Sequence, residues 1–272
     1  MTPKLIYGTA WKAERTAELV ERAVLAGFRG IDTACQPKHY NEAGVGQALA
    51  SLERKGIPRD ALFLQTKFTS LDGQDPSRVP YDPSAPLASQ VAQSFAASLK
   101  NLGTDRLDSW VLHAPMRTFD ETLTVWEAME KVHRAGGAKA LGISNCYELD
   151  SLKALYESAA VKPSVVQNRF YAKTGYDVGL RAWCGDNGLT YQSFWTLTAN
   201  PHILSHPVLQ TIARDRRKTP EQILLRFLTQ QGVVPLTGTT SERHMKEDLE
   251  ALDFGLSAAD LGALLPLFES VI

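Results

Sequence analysis

Along the chain, short apolar runs rich in β-branched and aromatic residues alternate with stretches whose apolar residues recur at i, i+3 and i+4. The first kind reads as buried strands at residues 4–10, 28–34, 61–68, 107–114, 138–145, 165–171, 189–197 and 233–239. The second kind, at 13–27, 41–56, 121–137 and 147–159, reads as amphipathic helices. Gly27, Gly56, Gly136 and Gly188 close helical patterns just before a strand resumes, as left-handed C-caps do. Eight strand–helix units in 272 residues average 34 residues each. Parallel strands need helical crossovers, and both faces of their sheet must be covered. The pattern therefore predicts an α/β fold, a single (β/α)8 TIM barrel over 1–272. A doubly wound open sheet is the competing architecture, but no G-x-G-x-x-G turn follows the first strand.

Composition narrows the function classes. With 29 Lys+Arg against 30 Asp+Glu the formal net charge is −1, so no chain-wide field draws in nucleic acid or an anionic membrane. No apolar run approaches the roughly 18 residues of a membrane helix. Cys35, Cys146 and Cys184 lie far apart without a CxxC pair, which argues against a disulfide framework or a thiolate zinc site and suits a cytoplasmic protein. The N-terminus reaches its first strand within a few residues and leaves no room for a targeting peptide.

In such a barrel catalytic groups belong at the C-terminal ends of strands. Those ends read Asp32, Lys67, His113, Ser144 with Asn145, Gln167 with Asn168, and Phe194 with Trp195. A polar strand end meeting solvent is ordinary for any one of them. That Asp, Lys and His terminate successive inner strands points to chemistry instead.

The segments GFRGIDTA, YNEAGVGQAL, LFLQTKF, SLKNLGTDRLDSWVLHAP, LGISN and TPEQILLRFLTQQGVVPLTG resemble the aldo-keto reductase family along nearly the whole chain. The resemblance implies a nicotinamide-dependent reductase whose Asp, Tyr, Lys, His tetrad falls on Asp32, Tyr40, Lys67 and His113. Hydride transfer to a carbonyl carbon leaves an oxygen that needs a proton, and Tyr40 is the expected acid. Lys67 would stabilise the phenolate, Asp32 would hold Lys67 in place and charged, and His113 would orient the substrate oxygen. The segment CQPKH makes the Asp32-to-Tyr40 loop longer than the family's. Trp11, Tyr40, His113 and Ala114 are the expected substrate contacts, with Ala114 standing where the family often has tryptophan and so implying a roomier pocket.

The resemblance also implies a dinucleotide lying across the barrel mouth. Thr9, Asp32, Ser144, Asn145 and Gln167 are expected at its nicotinamide end, with Phe194 as the stacking ring, Trp195 in place of the usual serine, and Leu197 in the pyrophosphate loop. Thr237, Gly238, Thr239, Arg243, His244 and Asp248 are expected at the adenosine end. Where many members have Pro-Lys-Ser, this chain reads Pro235, Leu236, Thr237. NADPH remains the expected cofactor, on family habit and Arg243, with NADH possible. The N-terminal hairpin and C-terminal tail are expected to be reduced, opening the site.

The reading is thus a monomeric reductase of small aldehydes and ketones, without a metal. A cofactor-binding regulatory protein on the same barrel, with little activity, is the alternative from another class. A metal-dependent hydrolase is a third, weakly signalled by His202 and His206 at i, i+4.

Overall fold

The computed structural model describes residues 3–269, so the extreme ends of the expected 1–272 domain and its short tail lie outside the described residues. Eight parallel strands close into a barrel in sequence order: β1 (Ile6–Gly8), β2 (Gly30–Asp32), β3 (Phe63–Phe68), β4 (Ser109–Leu112), β5 (Leu141–Ser144), β6 (Val165–Arg169), β7 (Thr190–Phe194) and β8 (Val234–Thr237). Each lies within one of the sequence-predicted runs. Closure is the β1–β8 pairing of Ile6 with Leu236 and Tyr7 with Thr237.

The first crossovers carry α1 (Thr16–Ala26), α2 (Glu42–Arg54), α3 (Leu87–Leu102), α4 (Phe119–Arg134), α5 (Leu149–Ser158) and α6 (Val178–Asp186). The β7–β8 crossover holds α7 (Pro201–Leu204), α8 (Pro207–Arg216) and α9 (Pro220–Gln230), and α10 (Glu242–Glu250) follows β8. Gly27, Gly56, Gly136 and Gly188 all have positive φ, as helix-ending residues in that region require. At Gly46 the need is space: a Cβ there would meet the Asn101 carbonyl at 2.2 Å, so glycine lets α2 close on α3.

Side chains alternate across each strand, and this places the chemistry. In β3, Thr66 faces the helices and donates to Glu42 Oε1 of α2 at 2.6 Å, whereas Gln65 and Lys67 share the opposite face with Asp32. In β6, Asn168 reaches outward to Asp177, and Gln167 turns inward. In β7, Tyr191 also bonds Asp177, while Gln192 turns inward. Apart from these bonds the layer between strands and helices is mainly apolar, with Trp110, Trp126, Phe28 and Phe227 buried in it. No helix among the described residues is long and apolar enough to cross a membrane.

Candidate active site

Under the C-terminal mouth, Asp32, Lys67 and three glutamines form one buried polar cluster. Lys67 Nζ donates to Asp32 Oδ2 at 2.6 Å and to the Thr33 carbonyl at 2.9 Å. The other carboxylate oxygen, Oδ1, accepts from Gln65 Nε2 at 2.7 Å and Gln167 Nε2 at 3.0 Å. Both amides also donate to Gln192 Oε1, at 2.8 and 2.9 Å, and Gln192 donates back to Gln65 Oε1 at 3.1 Å. Asp32 thus has both oxygens occupied, as a buried carboxylate needs. Burial pushes the Lys67 ammonium below its ordinary value, and Asp32 pushes it back up.

Tyr40 lies over this pair. Lys67 Nζ is 5.4 Å from its ring centroid, and the His113 ring is 6.1 Å away, edge-on. The longer loop reaches this position through a tight turn in which the amides of His39 and Tyr40 both donate to the Gln36 carbonyl. The turn is tied across the mouth, since Trp11 donates its amide to the His39 carbonyl and stacks on that imidazole with 3.8 Å between centroids. Burial and the Asp32 charge push the Tyr40 phenol well above its ordinary value, so the hydroxyl keeps its proton.

His113 follows β4, and its amide donates to the Phe68 carbonyl. Burial, with Lys67 adding to it, depresses the imidazole to about 3, so the ring is neutral. Thr69 Oγ1 lies 2.6 Å from Nδ1, which leaves Nε2 as the other polar atom of the ring. Thr69 is itself held by its carbonyl, which accepts from Tyr81 Oη at 2.9 Å and Gln74 Nε2 at 3.1 Å. These residues belong to the long β3–α3 connection at 69–86.

Two cavities meet here. The larger, about 1100 Å³, runs from Tyr40, His113 and Gln167 past Phe194 and Leu197 to the β8–α10 segment, where Thr237, Gly238, Thr239, Arg243, His244 and Asp248 line it. The smaller, about 700 Å³, lies under the 69–86 connection and the start of the β4–α4 loop. Gln36, His113 and Asn145 line both, so the imidazole stands at their junction.

Most of the expected cofactor and substrate contacts line the larger cavity, but Thr9 and Ala114 do not. Thr9 is buried behind the wall, where its hydroxyl donates to the Asp32 carbonyl at 3.0 Å. Ala114 faces the smaller cavity. Asn145 has spent its amide nitrogen on the His113 carbonyl at 2.8 Å, while Tyr147 Oη donates to its Oδ1 at 3.1 Å. Ser144 likewise donates to the Gln167 carbonyl at 2.6 Å. With Gln167 Nε2 committed as well, this trio offers acceptors to the cavity.

At the far end, Asp248 accepts from Thr237 Oγ1 at 2.6 Å, and burial pushes its carboxyl up to about 6. Arg243 lies 3.1 Å from His244 Nε2 and pairs with Glu247 only at 3.6 Å, leaving a mostly exposed cation on the rim. Lys12 also lines the cavity and donates to the Gly238 carbonyl.

Lys12, Gln36, Gln65, Thr69, Gln192 and Arg169 were not singled out by sequence reasoning. Gln65 and Gln192 carried a signal, as amides interrupting apolar strands on one alternate face. His202 and His206 have structural partners: His202 Nε2 meets Tyr176 Oη at 2.9 Å, and His206 Nδ1 accepts from the Val208 amide at 3.3 Å. Among the described residues no group of His, Cys, Asp and Glu is arranged to hold a metal ion.

A family model described as Aldo/keto reductase family matches residues 4–199. The chain is 30% identical over 265 residues to the uncharacterized oxidoreductase YtbE of Bacillus subtilis (strain 168), covering 96% of this chain and 88% of that one. It is 30% identical over 245 residues to the glyoxal reductase of the same organism, covering 90% and 80%. An aldo/keto reductase from Brucella melitensis superposes with a TM-score of 0.82 at 29% identity, covering 97% of this chain and 95% of that one. The aldo-keto reductase MGS-M4, from a deep-sea metagenome library, gives 0.84 at 26% identity, covering 100% and 94%. Together with the barrel and the site at its mouth, these matches show that the chain belongs to the aldo/keto reductase family, enzymes that act on carbonyl groups.

Proposed function

We propose that the protein reduces aldehydes and ketones to alcohols with a nicotinamide dinucleotide, Tyr40 acting as proton donor over the Lys67–Asp32 pair. The observation that carries this reading is the buried 2.6 Å ion pair lying beneath the Tyr40 ring at the floor of a large cavity.

The residues present fit the dinucleotide. Gln167 Oε1, Asn145 Oδ1 and Ser144 Oγ offer acceptors for a carboxamide NH2, and Phe194 offers a ring at the same stretch of wall. At the β1–β8 seam the cavity is lined by Gly8 and Gly238, and a Cβ on Gly238 would come within 3.2 Å of the Gly8 carbonyl and 3.4 Å of Lys12 Nζ. Lys12, Arg243 and His244 supply positive or donor groups for phosphates toward the other end. When bound, such a group supplies hydride to a carbonyl carbon.

Tyr40 gives its proton to the carbonyl oxygen, and the Lys67 ammonium stabilises the phenolate left behind. Lys67 Nζ donates two of its hydrogens to Asp32 and Thr33, so one remains for the tyrosine. Neutral His113 holds the same oxygen through Nε2, with Thr69 fixing the ring from Nδ1.

The test is cofactor oxidation by the wild-type protein, followed by absorbance, against a panel of aldehydes, oxo acids and aldoses. Consumption that depends on the carbonyl is expected; binding of NADPH without turnover on any of them would favour the regulatory reading. The pH profile gives a sharper check. Because His113 gains a proton only near 3, kcat/KM for reduction should show no change at the ordinary histidine value of 6.5. It should instead fall on the alkaline side as Lys67 loses its proton, with an apparent pKa below 10.5. An acid limb at 6.5 assigned to His113 by substitution would contradict the neutral-imidazole role.

NADPH is the proposed coenzyme, with Arg243, His244 and Lys12 as the available cations. The missing lysine at Leu236 removes one charge-assisted contact, worth about 1.5–3 kcal/mol, so the margin over NADH should be narrow. Arg243→Leu should then reduce kcat/KM with NADPH by roughly tenfold and leave NADH nearly unaffected. A wild-type preference for NADH of tenfold or more would overturn the assignment.

A further inference from the structure

We propose that Arg169 is an oxyanion-binding residue of the larger cavity, taking either a carboxylate on the carbonyl substrate or a phosphate of the dinucleotide; this rests on the reductase reading above. Arg169 ends β6 and lines the cavity. Strand alternation sets it on the same face as Gln167, about 6–7 Å further toward the mouth than the amide that touches Asp32.

The guanidinium is held but not hydrogen-bonded. Its Cζ lies 4.1 Å from the Trp195 ring centroid and 5.4 Å from that of Tyr171. Trp195 adopts φ 56°, a left-handed conformation that is strained for a bulky residue, so the loop after β7 keeps an unfavourable backbone where its indole covers the cation. No side-chain donor of Arg169 meets an acceptor among the described residues, and its Nε is buried without a partner. Other arginines do find oxygens: Arg59 meets Asp108, Arg29 the Val24 and Phe28 carbonyls, Arg117 Asp72.

No carboxylate of the described residues bonds Arg169. Asp32 is taken by Lys67, Gln65 and Gln167, while Asp177 is bonded through Oδ2 to Asn168 and Tyr191 on the outward face of β6, opposite to the inward face that Gln167 and Arg169 share. A guanidinium stacked on a ring keeps its in-plane N–H groups open for bidentate capture of a carboxylate or phosphate. Arg169 is therefore a positioned, charged fork that faces the cavity without a protein acceptor, as a residue that captures an anionic ligand would.

Arg169→Met removes the charge and keeps much of the bulk; Arg169→Lys keeps the charge without the planar fork. Both would be checked for folding by circular dichroism, then assayed on benzaldehyde and 4-carboxybenzaldehyde and titrated with NADPH by fluorescence. If the anion belongs to the substrate, Arg169→Met should lose roughly 10- to 100-fold more kcat/KM on the carboxylated aldehyde than on benzaldehyde. If it belongs to the dinucleotide, the NADPH Kd should rise by a similar factor and both aldehydes should suffer alike. Arg169→Lys should fall between wild type and Arg169→Met in either case. A change below about threefold in both the aldehyde ratio and the Kd overturns the proposal. The Kd titration, together with a matching one with benzoate, needs no turnover. A protein that loses either affinity on Arg169→Met but reduces no carbonyl would therefore overturn the reductase reading and leave the anion site standing.

Discussion

Tyr40→Phe should abolish carbonyl-dependent NADPH oxidation while leaving NADPH binding intact. The substitution removes one oxygen and keeps the ring that lies over Lys67 and against His113. Burial and Asp32 hold the phenol protonated, so the hydroxyl carries the proton to be transferred throughout the working pH range, and Lys67 offsets its weak acidity. Without that hydroxyl, the oxygen that forms on hydride transfer must take its proton from water, since His113 is neutral and no imidazolium stands ready to supply one. A positioned general acid contributes about 10²- to 10⁴-fold, and the loss in kcat/KM should lie in that range. Because the effect is confined to the transition state, kcat and kcat/KM should fall together, with the NADPH Kd within about threefold of wild type. An unchanged rate would remove Tyr40 from the mechanism and leave His39, stacked on Trp11 at the same rim, as the nearby titratable group to examine.

Much of this arrangement was legible in the sequence, because the barrel's strands are buried on both faces and read as continuous apolar runs. Lys67 and His113 stood out because a charge or imidazole ending such a run has to be accommodated chemically. Tyr40 was placed through the adjoining YNEAGVG segment, although the turn that brings it over Lys67 depends on amide bonds to the Gln36 carbonyl that no residue pattern announces. The glutamine cluster was harder to see. Gln65 and Gln192 are 127 positions apart, and only closure of the barrel makes them neighbours. Thr69 was invisible for a different reason: a threonine after a strand is commonplace, and its relation to His113 arises from the fold of the 69–86 connection. The donor sets of Asn145 and Ser144 are not legible either, because local bonds to the His113 and Gln167 carbonyls consume groups that look free in a sequence.

Asp32→Ala should destabilise the fold severely, and pairing it with Lys67→Met should restore much of that loss without restoring activity. Lys67 Nζ is almost completely buried, and Asp32 supplies both its counter-charge and its 2.6 Å acceptor. Removing the carboxylate strands the ammonium together with two amide groups, on Gln65 and Gln167, that donate to Oδ1. Breaking a buried pair from one side costs about 3–5 kcal/mol, which in a domain of this size lowers Tm by on the order of 10 °C. The cost has a pH signature. In the variant, burial without Asp32 lowers the Lys67 pKa further below the ordinary 10.5, so the unfolded chain binds more protons than the folded one below that pH. Stability should therefore rise with pH toward 10.5, more steeply than in the wild type. In the double variant no charge is left to bury, and that excess slope should vanish along with most of the destabilisation. Urea unfolding of the four proteins across pH measures both effects. Strict additivity of the two single variants, or a pH slope in Asp32→Ala equal to that of the wild type, would show that the pair does not hold the barrel floor together.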